Sequence, residues 1–293
     1  SPSARENVVL ERSPKARSKQ PVADVSSMFL QRALSTVVLG PLALVLIYLG
    51  GWYYFIPLLA VIALATVEFT TILGRLGWRL PAGILLPAVI VQLIAAQWPH
   101  LGLSAPALAL SLIVAALYAL WLFERRPRTE VTAEWAAMVT GIVVLGWMSG
   151  HFFLLRGLDS SAAALWTILV MVSTWVADSA AYVFGTRFGR RKLAPRLSPS
   201  KTLEGYVGGI LAGTVVTVIL AHFLDLALPV ALLLGLLISI VSPGGDLAIS
   251  LLKREAGVKD SGRMLPGHGG ALDRIDSLLW SVTMAYYVIA FMI

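Results

Sequence analysis

Two aspartates three residues apart, Asp273 and Asp276, follow a loop that mixes charge of both signs with glycine. The stretch from Ser250 to Asp276, SLLKREAGVKDSGRMLPGHGGALDRID, lies between two runs of nearly pure hydrocarbon. It carries Lys253, Arg254, Lys259, Arg263 and Arg274 beside Glu255, Asp260, Asp273, Asp276 and His268. A chain that only had to reach its next membrane span would not need such a loop. At the start of a helix Asp273 and Asp276 share one face. Two carboxylates on one face repel, and a divalent cation relieves the repulsion. Mg²⁺ favours carboxylate, water and phosphate oxygens, and takes only one or two carboxylates from a protein. Lys253, Arg254, Lys259 and Arg274 could then neutralise phosphate oxygens. Placement at a helix N-terminus accounts for either aspartate alone, but not for the charged, glycine-rich loop before them.

Three further constellations precede this loop. Pro243-Gly244-Gly245-Asp246 interrupts an apolar run. The pattern predicts a broken helix lining a cavity, with Asp246 at the break to hold a cation. A simple proline kink with a buried aspartate is the alternative. Ser198-Pro199-Ser200-Lys201-Thr202-Leu203-Glu204-Gly205 offers hydroxyls, one lysine and a helix start, which together can bind phosphate. It lacks Walker A spacing, and a capped helix beside one more basic residue explains it equally. Asp178 falls near the end of an apolar run. There it serves either a cation or a hydrogen-bonding neighbour helix. Glu68 also lies within an apolar run. A carboxyl hydrogen-bonded inside the bundle is the favoured account of it.

The elements that must position these groups are membrane helices. Apolar residues form 58% of the chain and charged ones 13%, far from the balance of soluble domains. The apolar runs predict an all-α, polytopic integral membrane protein with about nine transmembrane helices, near 33–50, 53–73, 82–98, 105–123, 136–155, 162–185, 205–223, 228–249 and 275–292. Of the 23 Lys and Arg residues, only Arg156 then falls on the second face. Positive charge marks the cytoplasmic side, so the N-terminus is expected inside and the C-terminus outside. The net charge of +7 therefore reflects topology and attraction to anionic headgroups, and no nucleic-acid partner is expected. The absence of cysteine excludes disulfides and thiolate metal sites.

Residues 1–27 are polar and basic and read as a disordered cytoplasmic tail. The chain begins at Ser1 without an initiator methionine, which leaves room for natural residues upstream. Residues 28–160 hold the first five spans, expected as ordinary lipid-facing helices. Residues 161–293 form the expected catalytic region, with cytoplasmic loops at 186–204 and 250–274.

The loop closely resembles the signature of the phosphatidate cytidylyltransferase family. Ser250, Lys253-Arg254, Lys259-Asp260, Gly262, Leu265-Pro266, His268-Gly269-Gly270, Asp273-Arg274 and Ile275-Asp276 all fall at the family spacing. Ala271 stands where a larger aliphatic residue is usual, and Ile249 where many members carry Glu. The Asp178–Tyr182 and Ser198–Gly205 stretches look like family motifs too. The resemblance covers roughly the last 120 residues; the first five spans match only in general character.

The resemblance implies transfer of CMP from CTP to phosphatidate, giving CDP-diacylglycerol and pyrophosphate. It assigns a Mg²⁺ centre, with room for a second cation, to Asp246, Asp273 and Asp276. Lys259, Arg274 and His268 join Asp246 and Asp273 as catalytic candidates, with binding favoured for His268. Ser198, Ser200, Lys201, Thr202, Ser250, Lys253, Arg254 and Asp178 are the substrate-binding candidates. A bacterial inner membrane with a cytoplasmic site is the expected setting, and a homodimer is compatible with it. A lateral opening between spans would admit the acyl chains. Two other readings stand beside this one: a cytidylyltransferase for another lipid phosphate, and a cation-coupled transporter. The pattern of CDP-alcohol phosphotransferases is absent.

Overall fold

The computed structural model of the protein describes residues 38–125, 130–262 and 269–293. The tail expected over residues 1–27 and the candidate His268 lie outside the described residues. The chain runs through α1 (Val38–Leu49), α2 (Gly51–Arg75), α3 (Ala82–Gln97), α4 (Ser104–Arg125) and α5 (Val131–Arg156). It continues with α6 (Ala163–Phe188), the short strands β1 (Lys192–Ala194) and β2 (Ser198–Thr202), α7 (Leu203–His222), α8 (Leu228–Glu255) and α9 (Leu272–Met292). Seven of these helices are long and apolar enough to cross a membrane. The shorter apolar helices α1 and α3 coincide with the first and third expected spans.

Two helices form the centre. The last, α9, packs on α2, α5, α6 and α8, while α5 packs on α3, α4, α6 and α9. Accordingly 67% of the apolar stretch of α5 is buried, against 22% for α4. The expectation that the first five spans are ordinary lipid-facing helices is therefore corrected for α5. Small residues allow it: Gly141 lies against Leu85 and Phe69, Gly146 against the Gln92 amide, and Gly150 against Ala96. Residues 142–148 of α5 form a wider π turn, which loosens the regular hydrogen-bond ladder. Gln92 reaches into it, donating from Nε2 to the Ile142 carbonyl at 3.3 Å.

Between α6 and α7 the backbones almost touch. Gly205, Gly209 and Gly213, spaced by four residues, form one face of α7 against Gly185, Ala181 and Ala177 of α6. Without lipid-to-protein hydrophobic gain, such close approach is what holds membrane helices together. A methyl group at Gly205 would lie 2.5 Å from the Ala181 carbonyl oxygen and 2.9 Å from Gly185 Cα.

The helix break expected at Pro243-Gly244-Gly245 is not there. The helix α8 runs unbroken from Leu228 to Glu255 with Pro243 inside it. Neighbouring helices hold a proline-bearing membrane helix together where water would not. Gly245 serves packing instead, since a Cβ there would meet the Asp276 carbonyl oxygen and Trp280 of α9. Extension of α8 to Glu255 also puts Ser250, Lys253 and Arg254 on helix rather than loop. Likewise α6 continues to Phe188, and much of the expected loop at 186–204 is an antiparallel hairpin pairing Lys192 with Thr202 and Ala194 with Ser198.

Polar groups inside the bundle are mostly satisfied by their own helices. Thr66, Ser111, Thr167, Thr174, Thr217, Ser281 and Thr283 each donate to the carbonyl four residues earlier. At the end of the bundle away from the hairpin, Trp52, Phe55, Trp98, Tyr54 and Phe153 form a contiguous ring cluster. Arg156 sits at this end and donates to the carbonyls of Ile47 at 2.7 Å and Tyr48 at 3.2 Å. It thus caps the C-terminus of α1, where a cation is favoured.

These contacts predict that Gly205→Ala lowers stability by about 1–3 kcal/mol, the usual cost of overpacking. Gly244→Ala meets nothing within 4 Å and should be tolerated. Thermal unfolding of both variants in detergent checks the contrast.

Candidate active site

Four carboxylates and two lysines meet where the hairpin, the end of α8 and the start of α9 come together. Lys201 of β2 forms an ion pair with Asp246 of α8, each side chain about 30% exposed (29% and 30%). Lys253, also on α8, pairs with Asp273 Oδ1 at 2.6 Å, and here both side chains are nearly buried. Asp276, one turn further along α9 and 6% exposed, faces Asp246, Lys253 and Asp273. Asp178 of α6 completes the group. Its Oδ1 lies 3.5 Å from Ser242 Oγ, and Ser277, Lys201 and Asp246 surround it.

The secondary structure explains this convergence. Asp246 and Lys253 are seven residues apart on the unbroken α8 and so fall on one face. Asp273, in the first turn of α9, and Asp276, one turn on, share a face of that helix. Gly245 lets α9 approach α8 closely enough for the two carboxylate pairs to face each other. The hairpin delivers Lys201 and is fixed at three points. Glu204 accepts from the backbone N–H of Arg190 at 2.9 Å and Arg191 at 3.1 Å. Arg254 donates through Nε to the Leu197 carbonyl at 3.1 Å. Thr202 caps α7, its Oγ1 accepting from Gly205 N–H at 3.1 Å.

Asp273 is bound on every side. Besides Lys253 it accepts at Oδ2 from Ser261 N–H at 2.8 Å, Ser261 Oγ at 2.9 Å and Gly270 N–H at 3.1 Å. It therefore ties both flanks of the segment between Ser261 and Gly270 to the start of α9. Two groups here carry more than the sequence suggested. Glu68 of α2 accepts at Oε1 from Ala271 N–H at 3.0 Å and at Oε2 from Leu272 N–H at 2.9 Å. Ser261 Oγ lies 2.9 Å from Glu68 Oε2 as well as from Asp273. An acid in an apolar run was the only signal for Glu68, and nothing singled out Ser261.

Of the candidates read from the sequence, Asp178, Lys201, Asp246, Lys253, Asp273 and Asp276 come together. Ser250 is buried on α8. Ser198 and Ser200 lie on the hairpin with their hydroxyl oxygens 3.5 Å apart. Lys259 and Arg274 are exposed near the cluster's edge. Arg254 and Thr202 hold the hairpin and the α7 start.

With all four ionised, the carboxylates outnumber the paired lysines by two charges. Hard cations and phosphate chemistry suit such a set, because oxygen ligands and mobile ammonium groups are both present. Among the described residues, no three carboxylate or imidazole side chains converge tightly enough to ligate one ion in this arrangement. Lys201 and Lys253 cover one side of Asp246 and Asp273 instead.

Comparison with known proteins agrees with this chemistry. Residues 30–292 match the cytidylyltransferase family. A phosphatidate cytidylyltransferase of Synechocystis sp. is 32% identical, over 90% of this chain and 97% of its own length. A phosphatidate cytidylyltransferase of Staphylococcus haemolyticus is 41% identical over 50% of this chain and 55% of its own, and one of Staphylococcus aureus is 40% identical over the same shares. With a match across nearly the whole chain, this protein belongs to the cytidylyltransferase family.

Proposed function

We propose that the chain transfers a cytidylyl group from CTP to phosphatidate, forming CDP-diacylglycerol and releasing pyrophosphate. A phosphate oxygen of the lipid attacks the α-phosphorus of CTP, and the bond from that phosphorus to the pyrophosphate oxygen breaks. The observation that carries this reading is the set of exchangeable lysine–aspartate pairs, Lys201–Asp246 and Lys253–Asp273, at one end of a membrane bundle. Each ammonium can turn from its carboxylate to a phosphate oxygen without leaving the site. Catalysis of this class consists largely of positioning and charge neutralisation.

Asp246 and Asp276 are the groups best suited to hold Mg²⁺, since neither is saturated by donors as Asp273 is. Asp273 would join them through Oδ1 once Lys253 is drawn to a phosphate. The cation would supply charge neutralisation at the phosphate oxygens. Lys201, Lys253 and Lys259 then hold phosphate groups, with Ser198 and Ser200 on the hairpin rim and Arg274 at the exposed edge. Asp178 completes the anionic wall.

The distribution of basic residues supports nine crossings, with α1 and α3 among them, the N-terminus inside and the site at the cytoplasmic end. There soluble CTP and membrane phosphatidate can meet. The aromatic cluster and the Arg156 cap occupy the opposite end, while the grouped carboxylates and lysines lie at this one.

Purified protein in mixed micelles with phosphatidate, labelled CTP and Mg²⁺ should form CDP-diacylglycerol, and EDTA should stop it. Asp246→Asn should lower kcat by about 100-fold or more, the usual loss when a charge-stabilising group is removed. Absence of product from folded protein would refute the phosphatidate assignment, and other lipid phosphates would be tried next. Lys201→Ala should reduce kcat/KM by about tenfold or more, as expected for a lost charge-assisted hydrogen bond. Unchanged kcat/KM for both substrates would return Lys201 to a purely topological role.

A further inference from the structure

Among the described residues, Glu68 is the acid of the site that comes from the N-terminal helices. It lies about two turns before the end of α2, 193 to 204 residues from its partners in sequence. Its bonds to Ser261, Ala271 and Leu272 converge on the start of α9. Ala271 and Leu272 donate their backbone N–H groups to its two oxygens at 3.0 and 2.9 Å. These belong to the first turn of α9, whose N–H groups have no partner within their own helix. Ala271, the N-cap residue, supplies no side-chain cap bond, and Asp273 takes only the Gly270 N–H before it. The cap is provided by a different helix.

The glycines of the loop are shaped around this carboxylate. A Cβ at Gly262 would lie 2.1 Å from Glu68 Oε1, and one at Gly270 would lie 2.2 Å from Oε2. Any larger residue at either position would push Glu68 out of its seat. Ser261 adds the link to the reacting groups. Its hydroxyl has one proton, and its oxygen lies 2.9 Å from both Glu68 Oε2 and Asp273 Oδ2. The two carboxylates therefore share a single O–H donor. Whatever hold Glu68 has on Ser261 is withdrawn from Asp273, and the balance sets how firmly Asp273 keeps Lys253.

We infer that Glu68 is a positioning residue for cytidylyl transfer, seating the first turn of α9 and sharing the Ser261 proton with Asp273 so that Asp273 and Asp276 keep their place opposite Asp246 and Lys253. This rests on the reaction proposed above. A carboxylate that only tied α2 to α9 would need neither the shared serine nor the two glycines. Glu68 itself touches no substrate in this account; it acts through Ser261 and the backbone of residues 271–272.

The test compares Glu68→Gln, Glu68→Asp, Ser261→Ala and the double variant Glu68→Gln/Ser261→Ala with the unaltered enzyme in phosphatidate micelles. The unaltered enzyme reports on the reaction itself, so failure of that reading appears there and not in the variants. Glu68→Gln should lower kcat by about tenfold to 100-fold, the scale of losing a charge-assisted hydrogen bond, and should raise the Mg²⁺ concentration for half-maximal activity. KM for CTP should stay within about threefold, because the residue acts on transition-state geometry rather than on ground-state binding. Glu68→Asp should recover part of the loss. The double variant should be hardly slower than the worse single one, the non-additivity expected of groups in one network. Independently of turnover, hydrogen exchange at the Ala271 and Leu272 amides should speed up in Glu68→Gln. A folded Glu68→Gln enzyme with kcat and Mg²⁺ dependence like the parent would overturn the proposal. So would strictly additive losses in the double variant. If Glu68→Gln does not fold, Ser261→Ala decides, since it leaves both backbone bonds to Glu68 in place. Reduced kcat with a raised Mg²⁺ requirement then supports the inference, and parent-like kinetics refute it.

Discussion

A carboxylate beside hydrocarbon must find cations or N–H donors, because burying an unpaired charge costs several kcal/mol. At one end of this bundle Asp246, Asp273 and Glu68 meet that demand in two different ways. Asp246 and Asp273 are neutralised by lysines, while Glu68 is satisfied chiefly by backbone N–H groups at a helix start. The difference matters for chemistry. An ammonium on a flexible stem can leave its partner for a phosphate, whereas backbone donors stay where they are. One set of acids is thus poised to exchange partners and another to stay fixed, and the fixed one seats the helix that carries Asp273 and Asp276.

The rest of the architecture follows from bringing those helices close. Gly245 admits the α9 backbone to α8, and the glycines of α7 admit α6. The hairpin between α6 and α7 then has a rigid base, and Glu204 and Arg254 fix its two ends. Lys201 reaches Asp246 from that hairpin. Membership in the cytidylyltransferase family fits this geometry, since transfer between phosphates asks for placement and counter-charge more than for a strong base.

Much of this was legible in the sequence. Uninterrupted apolar length marked the helices to within a few residues, because hydrocarbon thickness fixes that length. Charge near apolar ends marked Asp246, Lys253, Asp273 and Asp276 one by one, and it was the family resemblance that implied the three aspartates gather. What escaped depended on partners distant in the chain or on packing. Glu68 could be noticed as an acid out of place, but Ala271 and Leu272 could not be named as its donors. Pro243-Gly244-Gly245 suggested a break because local propensity disfavours helix there; neighbouring helices override it. The burial of α5 was hidden because an apolar helix reads alike whether lipid or protein surrounds it. The four-residue glycine spacing at 205, 209 and 213 was in plain view, and its meaning is close helix contact.

That glycine contact constrains how a two-tailed lipid can reach the polar cluster. Where Gly205 and Gly209 meet the carbonyls of Ala181 and Ala177, less than a methyl group's width separates the helices. An acyl chain cannot slide through that seam, and the Gly245–Asp276 contact shuts the neighbouring one at the level of the cluster. A lateral opening for fatty tails, where the bundle has one, would lie along some other pair of helices. The α6–α7 pair with its hairpin is a closed seam on that side of the cluster.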